Sequence, residues 1–329
     1  MQLLAPERVK RSTNDKIDSR ILHVLQRDGR ISNVKLAEQV NLSPSAVLER
    51  VKRLKREGYI LGYQARLSRE KLGMEVVAFV EVQLERMNFE VMERFEAAVR
   101  ERPAILECHM IAGTFDYLLK VLVPDMHACR ELVDSEISKL PGVREARTHA
   151  GIEQGDAPGT SVVANTGAGA NVNGGAEQRI DAIDASLLRL LQADGRLSIA
   201  RLAEELTLTP AVVRDRLGRL CRKGFILGYV AVLNESKFNS GLIVFAAIRA
   251  AGAASCIAHA LKAAAQTCGE IVECHEVTGN FDFLLKTRVA TMQRYHELME
   301  STVWTVAGVR EVRTYAAIDE VKNTARIPL

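Results

Sequence analysis

The chain has 329 residues, of which 47% are hydrophobic and 26% charged, and a formal net charge of +3. These totals exclude a wholly disordered chain, leave room for two or more domains, and are too weakly basic to attract nucleic acid by overall charge, so any basic surface has to act locally. Six cysteines without a CxxC pair, no apolar stretch of bilayer-spanning length and no apolar leader in MQLLAPERVKRSTNDK make a cytoplasmic, reduced protein without a membrane partner the expectation.

Residues 1–16 read as a tail carrying a small basic group, Arg8, Lys10 and Arg11. Ile17, Ile21, Leu22 and Leu25 then space one face of an amphipathic helix, which Asp28-Gly29-Arg30 ends. From Ser32 to Gly62 the pattern is two short helices about a polar turn, Asn41-Leu42-Ser43, followed by a strand; residues 17–67 together outline a winged helix-turn-helix. Ser43 can cap the longer helix, and Pro44 sits at the position where its missing N–H does no harm.

On that longer helix Val47, Val51 and Leu54 share the core face, which leaves Arg50, Lys52, Arg53, Lys55 and Arg56 to solvent or a partner. A charge run on a helix is commonly a solvated face, and Glu49 and Glu57 allow part of that reading. The preceding short helix, polar turn and Ser-Pro start favour double-stranded DNA, because that arrangement presents the first helical residues to the major groove. Ser45 and Ala46 are small enough for close approach, Glu49, Arg50 and Arg53 are candidate base or phosphate readers, and Lys52, Lys55 and Arg56 suit phosphate.

Residues 68–73 form a short connector, after which the period changes. EVVAFVEVQL alternates like a half-buried strand, residues 89–100 have helical spacing, ILECHMIAG and FDYLLKVLV are strands about a tight turn, residues 125–139 are helical, and residues 143–152 form a last strand. This βαββαβ order predicts a ferredoxin-like domain over 74–154, with helices on one face and the other face open to pairing with a second copy. Residues 155–178, rich in Gly, Ala and Asn, read as a flexible linker.

The programme then repeats. Ile17-Asp18 and Ile183-Asp184 stand 166 residues apart, and so do Gly29-Arg30 and Gly195-Arg196, Glu107-Cys108-His109 and Glu273-Cys274-His275, and Gly142-Val143-Arg144-Glu145 and Gly308-Val309-Arg310-Glu311. The chain is a tandem duplication: a second winged helix-turn-helix over 179–233, a second ferredoxin-like domain over 241–322 and a tail over 323–329. The predicted class is α+β, in two modules. Thr209-Pro210 opens the second long helix, Val213, Leu217 and Leu220 form its stripe, and Ala211, Val212, Arg214, Asp215, Arg216, Arg219, Arg222 and Lys223 surround it. The copies differ most where VMERFEAAVRERP faces ASCIAHALKAAAQ, which predicts different surroundings for those two helices.

The LSPSAVLERVKRL and LTPAVVRDRLGRL helices, the ILGY after each, the GTFDYLL and GNFDFLL hairpins and the LPGV and AGV runs before the last strands resemble the Lrp/AsnC family of "feast or famine" regulators. The resemblance covers residues 17–154 and 183–322 and implies dimers built through ferredoxin-like (RAM-type) domains, assembly into tetramers or octamers, and amino-acid effectors. The family's usual chain is one module, so one chain here can stand for a dimer and four chains for an octamer-like ring. The resemblance places the effector site on Gly113, Thr114, Asp116 and Thr148, and again on Gly279, Asn280, Asp282 and Thr314.

The hairpin residues also admit a plainer account, a β-turn in which Gly113 takes a positive φ and Asp116 bonds nearby backbone. In the functional account the turn amides receive a ligand carboxylate and Asp116 meets its α-ammonium group. Cys108-His109 and Cys274-His275 invite a metal, but strand neighbours point to opposite faces and no further ligands stand at a suitable spacing, so no cofactor is expected. The expected arrangement is a His at the sheet surface beside a small buried Cys. Trp304 is expected in core or interface.

The leading expectation is a ligand-responsive transcription regulator, associated with the nucleoid and not an enzyme. Sirohaem decarboxylases resemble the fold as paired modules and would use His109 or His275 as acid; an effector-independent architectural DNA-binding protein is the third reading.

Overall fold

In the computed structural model the described residues are 15–153, 180–238, 241–251 and 254–329; the expected N-terminal tail and the linker lie almost wholly outside them. The first module runs α1 (Lys16–Arg27), α2 (Asn33–Val40), α3 (Pro44–Arg56), β1 (Ile60–Leu67), β2 (Val76–Leu84), α4 (Phe89–Arg100), β3 (Ile105–Ala112), β4 (Tyr117–Val123), α5 (Met126–Ser135) and β5 (Val143–Glu153). The second runs α6 (Ala182–Ala193), α7 (Ile199–Glu205), α8 (Pro210–Arg222), β6 (Ile226–Leu233), α9 (Glu235–Phe238), β7 (Leu242–Ala250), α10 (Ala254–Thr267), β8 (Ile271–Val277), β9 (Phe283–Val289), α11 (Met292–Leu298) and β10 (Val309–Asn323). Each expected helix and strand is present. The segment read as one helix over 125–139 ends its α-helical part at Ser135 and finishes as a single 3-10 turn, Ile137–Lys139.

Two compact units result: Met1–Arg66 with Ser186–Arg214 and Gly228–Phe238, and Leu67–Ala185 with Asp215–Leu227 and Asn239–Leu329. In the first, Ile21, Leu22 and Leu25 of α1, Leu36 and Val40 of α2 and the stripe Val47, Val51 and Leu54 of α3 close one core with Tyr59 and Ile60. Strands β1 and β6 pair with each other as a two-stranded sheet. A reciprocal clasp holds this pair. Gly29 N–H donates to the Tyr229 carbonyl at 2.6 Å and Gly195 N–H to the Tyr63 carbonyl at 2.7 Å. Arg30 lies 3.6 Å over the Tyr229 ring and Arg196 3.6 Å over the Tyr63 ring. Each guanidinium Nε then donates to the opposite glycine carbonyl, Arg30 to Gly195 at 2.6 Å and Arg196 to Gly29 at 2.8 Å.

The glycines are required here for space. A Cβ on Gly29 would stand 2.8 Å from the Val230 carbonyl carbon, and one on Gly195 2.7 Å from that of Gln64. Gly29→Ala with Gly195→Ala is therefore expected to cost about 1–3 kcal/mol per site by overpacking against backbone, read as a lower thermal midpoint.

In the second unit β2, β4, β3 and β5 of the first module and β7, β9, β8 and β10 of the second close into one eight-stranded barrel, in the order β10-β3-β4-β2-β5-β8-β9-β7. The joints are β5 to β8, where Gly151 faces Val277, and β10 to β3, where Ala316 faces Ala112 and Asn323 faces Glu107. Each four-stranded half turns one face to its own helices: Ala78, Val80, Val82, Phe95, Val99 and Tyr117 pack in one core, and Val244, Ala246, Ile248, Leu261 and Phe283 in the other. The other faces meet inside the barrel, which is where the open sheet face expected from the sequence goes.

Strand alternation sends Glu107, His109 and Lys120, with Glu273, His275 and Lys286, into that interior. Lys286 Nζ reaches Glu107 at 2.5 Å and Lys120 Nζ reaches Glu273 at 2.6 Å, while Lys120 also meets Glu107 at 3.2 Å. His109 Nε2 lies 2.9 Å from Glu107 and His275 Nε2 2.7 Å from Glu273, and their rings pack edge-on against Phe245 and Phe79. His109 is thus buried, as is Cys108 on the other face, which corrects the expectation of a histidine on the sheet surface: that surface is covered by the second half of the barrel.

Two further expectations gain detail. The tail over 323–329 packs against the first module: β10 runs on to Asn323, Thr324 N–H donates to the Leu106 carbonyl and Ile327 is buried. Trp304 lies outside the core, 48% exposed at the end of a π-helical turn, Met299–Val303, whose Met299 and Val303 fill it instead, which leaves interface as the remaining expectation for it. The divergent helix α4 has a partner of its own: Arg100 Nε donates to the Val321 carbonyl, and Lys322 Nζ to those of Val99 and Arg102.

Candidate nucleic-acid interface and ligand site

Both long helices start from a capped turn. Ser43 Oγ accepts from Ala46 N–H at 3.3 Å and Thr209 Oγ1 from Val212 N–H at 3.4 Å, with proline as the first helical residue in each. Val47, Val51 and Leu54 of α3 are buried, as are Val213, Leu217 and Leu220 of α8. The other sides are exposed: Ser45, Leu48, Glu49, Lys52, Lys55 and Arg56 on α3, and Ala211, Val212, Arg214, Asp215, Arg222 and Lys223 on or just after α8.

Four arginines among the expected readers are tied to aspartates of their own module. Arg50 Nη1 donates to Asp15 Oδ2 at 2.7 Å and Asp18 Oδ1 at 2.8 Å, and Arg53 pairs with the other Asp18 oxygen. The second module repeats this, Arg216 Nη1 meeting Asp181 at 2.5 Å and Asp184 at 2.9 Å while Arg219 Nη2 meets Asp184 at 2.6 Å. Asp18 is 1% exposed, so Arg50 and Arg53 neutralise a buried carboxylate and tie α3 to α1. These bonds hold Asp15 below the usual carboxylate range and Arg50 above its own, and act likewise on Asp181 and Arg216. Arg50 and Arg216 thereby brace their helices, with 26% and 20% of their side chains left exposed. Arg53 and Arg219 keep about two-fifths of their side chains in solvent and retain an edge for phosphate.

Lys52 pairs with Glu49 at 3.1 Å on the open surface. Lys55 stands 4.7 Å over the Tyr63 ring, where burial and the nearby Arg196 charge push its pKa down. The outward face of each helix thus combines exposed cations with small and apolar residues near its first turn.

The hairpins occupy equivalent corners of the barrel. Asp116 Oδ2 accepts from Leu84 N–H at 2.7 Å, and Asp282 Oδ2 from Ala250 N–H at 2.8 Å, so each carboxylate closes its turn onto the neighbouring strand with one oxygen. Gly113, Thr114, Gly279 and Asn280 are exposed at the tips. Gly279 adopts φ +137°, whereas Gly113 is not among the glycines with positive φ. What Gly113 provides is room, because a Cβ there would stand 3.1 Å from Tyr315 Cδ1.

Each tip is capped by a ring from the other module, Phe115 by Tyr315 at 4.9 Å and Phe281 by His149 at 4.3 Å between centroids. A shallow cavity beside the first tip is lined by Glu81, Gln83, Thr114, Phe115, Glu145 and Arg147. Arg147 grips Glu145 through two bonds of 2.7 and 3.2 Å, and Arg313 grips Glu311 at 2.7 Å in the equivalent position.

Thr148 and Thr314 are not gathered with these groups. Strand alternation turns both to the opposite sheet face, where both stay exposed and Thr314 Oγ1 bonds Tyr295 Oη at 2.9 Å. Glu81, Gln83, Glu145 and Arg147 join the cavity without having been expected there; the Glu-x-Arg pair repeated at 145–147 and 311–313, on alternating strand positions, is a signal for Glu145 and Arg147 alone.

A family model described as the Lrp/AsnC ligand binding domain matches residues 77–154 and 243–327, and one described as a winged helix-turn-helix DNA-binding domain matches residues 14–60 and 180–226. The leucine-responsive regulatory proteins of Salmonella typhimurium and Escherichia coli K12 are each 49% identical over 140 residues, covering 43% of this chain and 85% of theirs. A transcriptional regulator from Neisseria meningitidis, solved in complex with L-Met, is 38% identical over 43% of this chain and 90% of its own, with a TM-score of 0.41. The siroheme decarboxylase NirDL aligns over 95% of this chain and 94% of its own at a TM-score of 0.63 but 13% identity, a likeness of fold alone.

Proposed function

Since the chain belongs to the Lrp/AsnC family of DNA-binding regulators, with both family domains present twice, we propose that it is a sequence-specific transcriptional regulator whose two modules act as an intrachain pseudo-dimer answering to an amino-acid effector. The observation that carries the proposal is the shared barrel, in which β5 pairs with β8 and β10 with β3 across the two modules of one polypeptide. Helices α3 and α8 are its DNA-reading elements. Ser45, Glu49, Lys52, Arg53 and Arg56, with Arg214, Arg219, Arg222 and Lys223, form the contact set, and Arg50 and Arg216 hold the helices in place. With two modules per chain, four chains would supply an octamer-like ring in a cytoplasmic, nucleoid-associated protein.

The experiment that tests this is selection of duplex DNA by the full chain with and without a panel of amino acids, alongside native mass measurement of the assembly. Binding should weaken steeply as salt rises, because each neutralised phosphate releases counterions. A DNA affinity and mass unmoved by every amino acid would leave an architectural DNA-binding protein instead.

The hairpin site has its own test. Asp116→Asn with Asp282→Asn keeps a side-chain carbonyl to accept from Leu84 and Ala250 N–H but removes the charge that would meet a ligand ammonium group. We expect the fold to persist and the amino-acid response to fall at least tenfold in affinity, measured by calorimetry; an unchanged isotherm would take the hairpins out of the site.

The fold shared with NirDL keeps a decarboxylase in view. Its required acid, His109 or His275, would have to leave Glu107 or Glu273 and a covering phenylalanine ring, which favours a structural role for both. A haem-like absorbance band in the purified protein would reverse that preference.

A further inference from the structure

We infer that the two heads read different base pairs, so that the preferred operator joins two unlike half-sites, and that Leu48 and Arg214 set the difference. The inference rests on the proposed role of α3 and α8 as the DNA-reading helices and asks what each would read. Residues 48 and 214 are equivalent in the repeat, just past the first turn and on the outward side; Leu48 is 38% exposed, and Arg214 is exposed with no ion pair among the described residues.

A leucine at that position offers the major groove only apolar contact, as with a thymine methyl, whereas an arginine donates two parallel bonds to O6 and N7 of guanine. The surroundings diverge in the same sense. Ser45 becomes Ala211, Ala46 becomes the exposed Val212, and Glu49, paired with Lys52 in α3, becomes Asp215 with Gly218 where the lysine stood. Lys55 becomes Cys221. The outward cations of α3 therefore lie in its later turns, at Lys52, Lys55 and Arg56, where a helix leaves the groove for phosphate. Helix α8 instead carries Arg214 at the end that meets base edges. A symmetric dimer of one-module chains cannot have this difference, because both of its heads are the same sequence; the duplicated chain can.

The test is selection from random duplex DNA by the full chain, as wild type, Leu48→Arg, Arg214→Leu and Arg214→Lys. Wild type should return two unlike halves, only one of which demands guanine at the affected position, with roughly tenfold discrimination there. Arg214→Leu should erase that demand, Leu48→Arg should duplicate it in the other half, and Arg214→Lys should keep affinity while relaxing it. Two identical halves from the wild type, or a guanine demand that survives Arg214→Leu, would overturn the inference and leave DNA reading by these helices standing. Failure to enrich any sequence would overturn both.

Discussion

Replacing Glu107 by alanine is expected to lower the unfolding free energy by about 3–5 kcal/mol, because it strands buried ammonium groups rather than merely deleting a bond. Lys286 is 7% exposed and its 2.5 Å partner is Glu107; without it, Glu273 at 3.7 Å is the nearest carboxylate to that nitrogen and already holds Lys120. A loss of that size is a large fraction of the stability of an ordinary domain. The double substitution Glu107→Leu with Lys286→Met removes both charges and should recover much of the loss, since a well-packed apolar replacement of a buried pair is often neutral or better. Urea midpoints followed by the fluorescence of Trp304, the chain's single tryptophan, report on this unit. Equal midpoints for wild type and Glu107→Ala would show that the quartet Glu107, Lys120, Glu273 and Lys286 is hydrated and not a buried ionic core.

The same quartet sets a pH window. Burial raises the Glu107 pKa, but Lys120 and Lys286 more than offset it and leave the carboxyl well below its usual range. Glu273, opposed by burial and by Glu107 yet held by Lys120, His275 and Lys286, is pushed down to about 2. Lys120 and Lys286 are raised, their burial outweighed by the two glutamates. A carboxyl lowered in the folded state contributes stability that is complete above about pH 5 and is lost as pH falls through its folded value, and a raised ammonium contributes below about pH 10. The quartet's contribution is therefore expected to hold level across the neutral range and to decay toward pH 2, and Glu107→Ala should flatten that acid limb.

The second large effect is expected at Asp18 and Asp184. Alanine at both should cost about 2–3 kcal/mol in each head through lost charge-assisted bonds and should abolish specific DNA binding, although neither carboxylate is exposed to DNA. The reason is mechanical: Asp18 holds Arg50 and Arg53, Asp184 holds Arg216 and Arg219, and these bonds fix each long helix against the first helix of its head. Arg50→Ala should act by the same route, lowering stability and affinity together. By contrast Arg56→Ala, on an exposed turn, should weaken binding uniformly across sequences and leave the thermal midpoint in place. Finding Arg50→Ala as stable as wild type but deficient in binding would return that arginine to the contact set.

Most of the architecture was legible because it depends on local rules. Helical spacing at Val47, Val51 and Leu54, alternation in EVVAFVEVQL and the start signals Ser43-Pro44 and Thr209-Pro210 each act within a few residues, and the element bounds follow them. The 166-residue repeat then supplied the duplication. The candidate site was only half legible. The basic faces and hairpin tips stand where the pattern put them, but Thr148 and Thr314 lie on the other sheet face, and the cavity at the first tip joins Thr114 and Phe115 to strand residues that only the register brings beside them.

What the sequence determined by itself, then, is which residues share a face: turn and strand geometry fix that within one element, and the repeat fixes it twice. What meets each face was decided by the tertiary structure. Glu107, His109 and Lys120 share a strand face in any sheet, yet only closure of the barrel against Glu273, His275 and Lys286 makes that face an interior rather than a wet surface. Likewise Arg50 looks like any outward arginine until Asp15 and Asp18, more than thirty residues earlier, arrive beside it. Periodicity is a property of neighbours along the chain, whereas the partner of a charge, and hence its burial and its role, depends on which distant segment packs there.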